Sequence, residues 1–116
     1  MTIQRIEVGP RMSQAVVLNG TVYVAGQVAL ESPGASVADQ TRTVLARIDR
    51  LLAAAGSDKT KLVQATIWLT DISTFDEMNK VWDAWVAPGC TPARATVESK
   101  LAAPQFNVEI AVVAGL

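Results

Sequence analysis

Two charged residues stand where charge needs a reason. Glu109 lies in Val108-Glu109-Ile110-Ala111-Val112-Val113, a run otherwise apolar on both faces of a strand. A carboxylate there is paired, hydrogen-bonded or pushed up in pKa by desolvation. Carboxylates perturbed in this way gather where water or a proton is handled. The competing readings are an edge-strand charge facing water, or a buried ion pair that only fixes the fold. Arg94, in Thr91-Pro92-Ala93-Arg94-Ala95-Thr96, places a guanidinium at a strand entrance behind a proline. Its planar fork matches a carboxylate with two parallel hydrogen bonds. The alternative is an ordinary surface arginine at a strand end.

The rest of the composition narrows the chemistry. The chain has no histidine, which removes the commonest general base and transition-metal ligand. Its one cysteine, Cys90, can form neither an internal disulfide nor a cysteine-based zinc site, and lacks a histidine to make it a thiolate. Asp71, Asp76 and Glu77 lie close in sequence but read as turn and helix-start charges favoured by the dipole. Gly26 and Gly34 belong to no phosphate-binding pattern. Ten Lys+Arg against eleven Asp+Glu leave a net charge of -1, without the basic excess that a nucleic-acid backbone needs. No run approaches the roughly 18 apolar residues of a membrane span, and the first ten residues do not read as a signal peptide. The expectation is one cytoplasmic domain over residues 1–116, with no membrane or nucleic-acid partner. Half the residues are hydrophobic and mean hydropathy is +0.27, a large apolar content for so small a body.

The elements that must position these residues follow from periodicity. Residues 15–18 and 21–25 flank Asn19-Gly20, a hairpin signal because both turn residues accept positive φ. The second strand runs on to Leu30 through Gly26, where a glycine marks a bulge or a close backbone approach. Ser36 is the expected N-cap of a helix whose apolar face is Val37, Thr41, Val44, Leu45, Ile48, Leu51, Leu52 and Ala55, with Gly56 as its stop. Residues 62–70 read as a central strand with faces Val63/Ala65/Ile67/Leu69 and Leu62/Gln64/Thr66/Trp68. Thr74 and Glu77 form a capping-box pattern opening a second helix, with Phe75, Met78, Val81, Trp82, Trp85 and Val86 as its stripe and Pro88-Gly89 as its end. Strands at 94–101 and 107–114 close the chain. The order β-β-α-β-α-β-β implies an α+β sandwich with both helices on one face of a mixed sheet. The other face still carries apolar side chains, and a second subunit is the simplest cover.

If the last two strands form a hairpin through residues 102–106, Glu109 faces a position near Glu98. Arg94 then lies about four residues further along, roughly 13 Å away. A small molecule cannot touch both groups of one chain at that separation, so the site is expected to lie between subunits.

Several segments resemble the Rid family, the YjgF-like reactive intermediate deaminases. They are Ser13-Gln14-Ala15-Val16-Val17 with Asn19-Gly20, Val24-Ala25-Gly26-Gln27-Val28, Gln40-Thr41-Arg42, Leu52-Ala53-Ala54-Ala55-Gly56 and Leu69-Thr70-Asp71. Phe75, Met78-Asn79, Pro92-Ala93-Arg94-Ala95-Thr96-Val97-Glu98 and Val108-Glu109-Ile110 continue the likeness to the C-terminus. The resemblance implies a chorismate-mutase-like α+β domain in a homotrimer, helices outside, sheets around a central barrel and clefts between subunits. It implies cofactor-free hydrolysis of enamines and imines to 2-keto acids and ammonia. By the same resemblance Arg94 holds the substrate carboxylate and Glu109 positions the attacking water. Gly26 presents its backbone to the reacting end, Thr96 offers a backbone N–H to the carboxylate, and Asn79 lies near the cleft. Met12 stands where many members have a cleft tyrosine, and Leu101-Ala102-Ala103-Pro104-Gln105 replaces their Leu-Pro-Lys, which implies a side branch. A carboxylate-binding trimer without turnover is the alternative; it would need Arg94 but not Glu109. Ribonuclease action fits poorly with the charge and the missing histidine.

Overall fold

The computed structural model describes residues 2–116. It contains β1 (Gln4–Val8), β2 (Ser13–Leu18), β3 (Thr21–Val28), α1 (Val37–Ala54), β4 (Leu62–Leu69), α2 (Phe75–Trp85), β5 (Ala93–Glu98) and β6 (Val108–Gly115). The six strands form one sheet in the order β1-β2-β3-β6-β4-β5. Only the β4–β5 pair is parallel.

The expected hairpin turn is present: Asn19 (φ 52°) and Gly20 (φ 73°) both take the left-handed region and join β2 to β3. The Ser36 hydroxyl accepts from the Asp39 N–H at 3.2 Å and starts α1. Val44, Leu45, Ile48, Leu51 and Leu52 of α1 are fully buried, as is Met78 of α2. They pack on the side of the sheet carrying Val22, Val24, Ala65, Ile67, Leu69, Val108, Ile110 and Val112. The opposite face has no helix, and on it Tyr23 is exposed.

Four expectations are corrected. First, β5 and β6 are not a hairpin: β4 lies between them, paired parallel with β5 and antiparallel with β6. The apolar β6 takes a central place, between β3 and β4, where one whole face is buried. The more polar β5, ending in Glu98, takes the edge, where an unpaired ladder meets water. Second, β1 is an additional edge strand. Its Gln4, Arg5 and Glu7 hide any apolar pattern, and only Ile6 is partly buried. Third, Thr74 makes no side-chain cap. A short 3-10 turn (Ile72–Thr74), capped by Asp71, leads into α2, and the Glu77 carboxylate instead accepts from the Ala38 N–H at the start of α1, at 2.9 Å. Fourth, a register shift between Leu62 and Gln64 buries Leu62 and exposes Val63, the reverse of strict alternation.

Candidate active site

The site residues fall into two groups on opposite faces of the sheet. Arg94 sits opposite Ala65 of β4, whose side chain faces the helices. Its guanidinium lies over two rings of α2, 5.3 Å from the Trp82 centroid and 5.8 Å from that of Phe75. Cation–π contact of this kind holds the fork flat without using its hydrogen-bond donors. Burial under the rings lowers the Arg94 pKa and the carboxylate of Asp83 opposes that; a guanidinium stays charged through this. A cleft of about 310 Å³ opens in front of it, lined by Asn79, Trp82, Asp83, Thr91, Pro92 and Arg94. Pro92, with φ fixed, delivers the chain from the Gly89 turn (φ 75°) into β5. The buried oxygens Asn79 Oδ1 and Thr96 Oγ1 have no hydrogen-bond partner among the described residues. Thr96 sits two residues after Arg94, opposite the helix-facing Ile67.

Glu109 occupies the other face. Its cross-strand partners are Val28 of β3 and Trp68 of β4, so it stands on an interior strand rather than at an edge. Desolvation pushes its carboxyl above the ordinary carboxylate range. The floor beneath it is Gly26: a Cβ built there would lie 2.1 Å from Glu109 Oε2. The glycine falls inside a β-bulge between Val24 and Gln27, which bends β3 and lets its backbone meet the carboxylate. Met12 is exposed, immediately ahead of β2, and its carbonyl accepts from the Gly9 N–H at 2.8 Å. It stands near the edge of the sheet opposite to β5.

Neither Glu109 nor Arg94 takes part in the ion pairs of the described residues, which join Arg42 to Asp39, Arg47 to Glu31 and Arg50 to Glu7. Glu109 thus stands neither on an edge strand nor in an ion pair among the described residues. The structure brings Asn79 to Arg94, and Gly26 to Glu109, but it does not bring Arg94 to Glu109. Arg94 opposes Ala65, Ala65 opposes Val112, and Glu109 is three residues from Val112. Two strand spacings and three residue rises put their Cα atoms about 14 Å apart. The residues sequence reasoning missed are Asp83, Phe75 and Trp82. The two rings read as core stripe, and Phe75, at 37% exposure, is the outward member that could have been noticed.

Comparison with known proteins shows the family. A family model described as Endoribonuclease L-PSP matches residues 2–116. The chain belongs to the YjgF/RutC/Rid family. It is 43% identical over 116 residues to the RutC family protein YoaB of Escherichia coli, covering all of both chains. It superposes on a YjgF-family protein from Neisseria meningitidis with a TM-score of 0.95 at 48% identity, covering 99% of this chain and 95% of that one. A bovine 2-iminobutanoate/2-iminopropanoate deaminase is more distant, at 34% identity over 92% of this chain and 80% of its own. The likeness is thus to the RutC-family side of the group, in line with the side branch implied by Met12. No helix among the described residues is long and apolar enough to cross a membrane.

Proposed function

We propose that the protein hydrolyses imines and enamines derived from amino acids to 2-keto acids and ammonia, at sites shared between copies of the chain in a homotrimer. The observation that carries this reading is the desolvated Glu109 carboxylate lying on the Gly26 backbone without an ionic partner. A binding module has no use for a water-orienting acid there. The separation of Arg94 and Glu109, about 14 Å apart on opposite faces of the sheet, supports the shared site, since one small substrate cannot touch both groups of a single copy. The deaminase name of the bovine relative supports the chemistry.

In this mechanism Arg94 forks the substrate carboxylate and fixes the imine carbon. Glu109 of the neighbouring copy accepts a hydrogen bond from a water and takes its proton as the oxygen attacks that carbon. Glu109 passes that proton to the former imine nitrogen to complete the carbinolamine; the hydroxyl proton then moves to the same nitrogen as the C–N bond breaks, releasing ammonia and forming the carbonyl of the 2-keto acid. An imine is already electrophilic, so positioning supplies most of the acceleration. Histidine is unnecessary.

The test is ammonia release from imines generated in situ by an amino-acid oxidase. Arg94→Ala should lower the rate by about 10²-fold or more, the loss of two charge-assisted hydrogen bonds. Arg94→Lys should recover only part of it, because a point charge is not a fork. An Arg94→Ala rate near wild type would remove the clamp. Keto-acid binding with no ammonia release from any imine would make the chain a carboxylate binder instead.

A further inference from the structure

Gln27 is 1% exposed, yet its amide is fully engaged. Its Oε1 accepts from Arg47 Nε at 3.0 Å. Its Nε2 donates to Gln14 Oε1 at 2.9 Å and to the Ala25 carbonyl at 3.0 Å. Arg47, with a side chain only 15% exposed, is itself tied to Glu31 by an ion pair. The Ala25 carbonyl belongs to the bulge between Val24 and Gln27, where the ladder between β3 and β6 shifts register. A buried network with every member satisfied is rigid, and one left half-satisfied is costly. This network therefore holds one particular backbone conformation.

That conformation matters on the other side of the sheet. Because strand side chains alternate, the same chain drawn straight without the bulge would turn Gly26 to the helix face, with Val24, and away from Glu109. Glu109 Oε2 lies so close to Gly26 that no Cβ fits between them. We propose that Gln27, oriented by Arg47, is a positioning residue for Glu109: it fixes the bulge whose Gly26 backbone sets where the carboxylate stands. The line runs from Glu31 at the surface through Arg47 and Gln27 to the bulge, and from there to the acid. It rests on the deaminase reading only for its kinetic consequence.

The experiment compares Gln27→Met, Arg47→Met and Arg47→Lys with wild type, in steady-state ammonia release and in the ¹³C titration of the Glu109 carboxyl. Gln27→Met should lower kcat by about 30-fold, the scale of misplacing a reacting group by close to 1 Å. KM should change less than about threefold, because the Arg94 clamp stands on the edge strand β5, three strands away from the bulge in β3. Arg47→Met should act in the same direction more weakly, about fivefold, and Arg47→Lys should restore part of the loss. In Gln27→Met and Arg47→Met the Glu109 midpoint should fall back toward the ordinary carboxylate range as water reaches the loosened carboxyl; its cross-strand partners, Val28 and Trp68, do not titrate. If Gln27→Met does not fold, the Arg47 pair decides. Unchanged kcat together with an unchanged Glu109 midpoint overturns the proposal, as does a loss confined to KM. If the wild type releases no ammonia from any imine, the deaminase reading fails separately, and the Glu109 midpoint alone decides for or against the network.

Discussion

Replacing Gly26 with alanine should separate the placement of Glu109 from the stability of the fold. The added Cβ would lie 2.1 Å from Glu109 Oε2, 3.0 Å from Cδ and 3.2 Å from Cγ. Ordinary contact begins near 3.5 Å, so the carboxylate oxygen must retreat by about 1.4 Å. All three contacts are with one flexible side chain, which can swing away. The φ of Gly26 lies outside the positive region, so the alanine backbone is unstrained. The crowding costs about 1 kcal/mol, the low end for an added methyl. The loss of glycine freedom in the unfolded chain offsets roughly 0.4–1 kcal/mol of that. Tm should therefore stay within about 4 °C of wild type. A displacement above 1 Å at a water-positioning acid costs about 10²-fold in rate. Ammonia release at saturating imine, measured beside a thermal melt, reads both quantities. A full rate at an unchanged Tm would refute the placement argument, and a Tm drop above about 10 °C would show that Gly26 serves the fold instead.

Other consequences can be checked alongside. Because desolvation raises the Glu109 pKa, the rate should fall with decreasing pH through a midpoint above the ordinary 4.5, and Glu109→Gln should be nearly inactive and lose that limb. A raised folded-state pKa means the native protein holds its proton more tightly than the unfolded chain, so ionised Glu109 destabilises the fold at pH values above that pKa. Glu109→Gln should accordingly raise Tm near neutral pH and lose that advantage below the unfolded carboxylate pKa; an equal Tm at both pH values would contradict it. Inactive Arg94→Ala and Glu109→Gln chains, unfolded and reassembled together in equal amounts, should recover about a quarter of wild-type activity, the chance that an interface receives both intact residues. Continued inactivity after exchange is demonstrated by mass spectrometry would refute the shared site.

The local chemistry of this chain could be read directly from residue types and spacing. Asn19-Gly20 specified a hairpin, Ser36 a helix start, and the 3.6-residue period of Val44, Leu45, Ile48, Leu51 and Leu52 the buried face of α1, because each depends on neighbours within a turn or two. Glu109 and Arg94 stood out because a charge in an apolar strand, or behind a proline, needs an explanation even in one dimension. Gly26 announced its bulge because only glycine leaves room for so close an approach. Pairing partners were not legible in this way. Strand 94–101 and strand 107–114 are neighbours in sequence and looked like a hairpin, but which strand takes the middle of a sheet is decided by the apolar area that the whole assembly of strands and helices can cover. That competition put the apolar β6 inside and left β5 at the edge. The Glu77 carboxylate likewise found the N-terminus of α1, 39 residues away, rather than its own helix start. The distance between Arg94 and Glu109 came out similar by either pairing, at about 13 and 14 Å, since both routes count residue rises and strand spacings. That the two side chains leave opposite faces of the sheet, one under the rings of α2 and the other over Gly26, was settled only by tertiary structure: facing depends on bulges and cross-strand register, which arise from contacts between residues far apart in the chain.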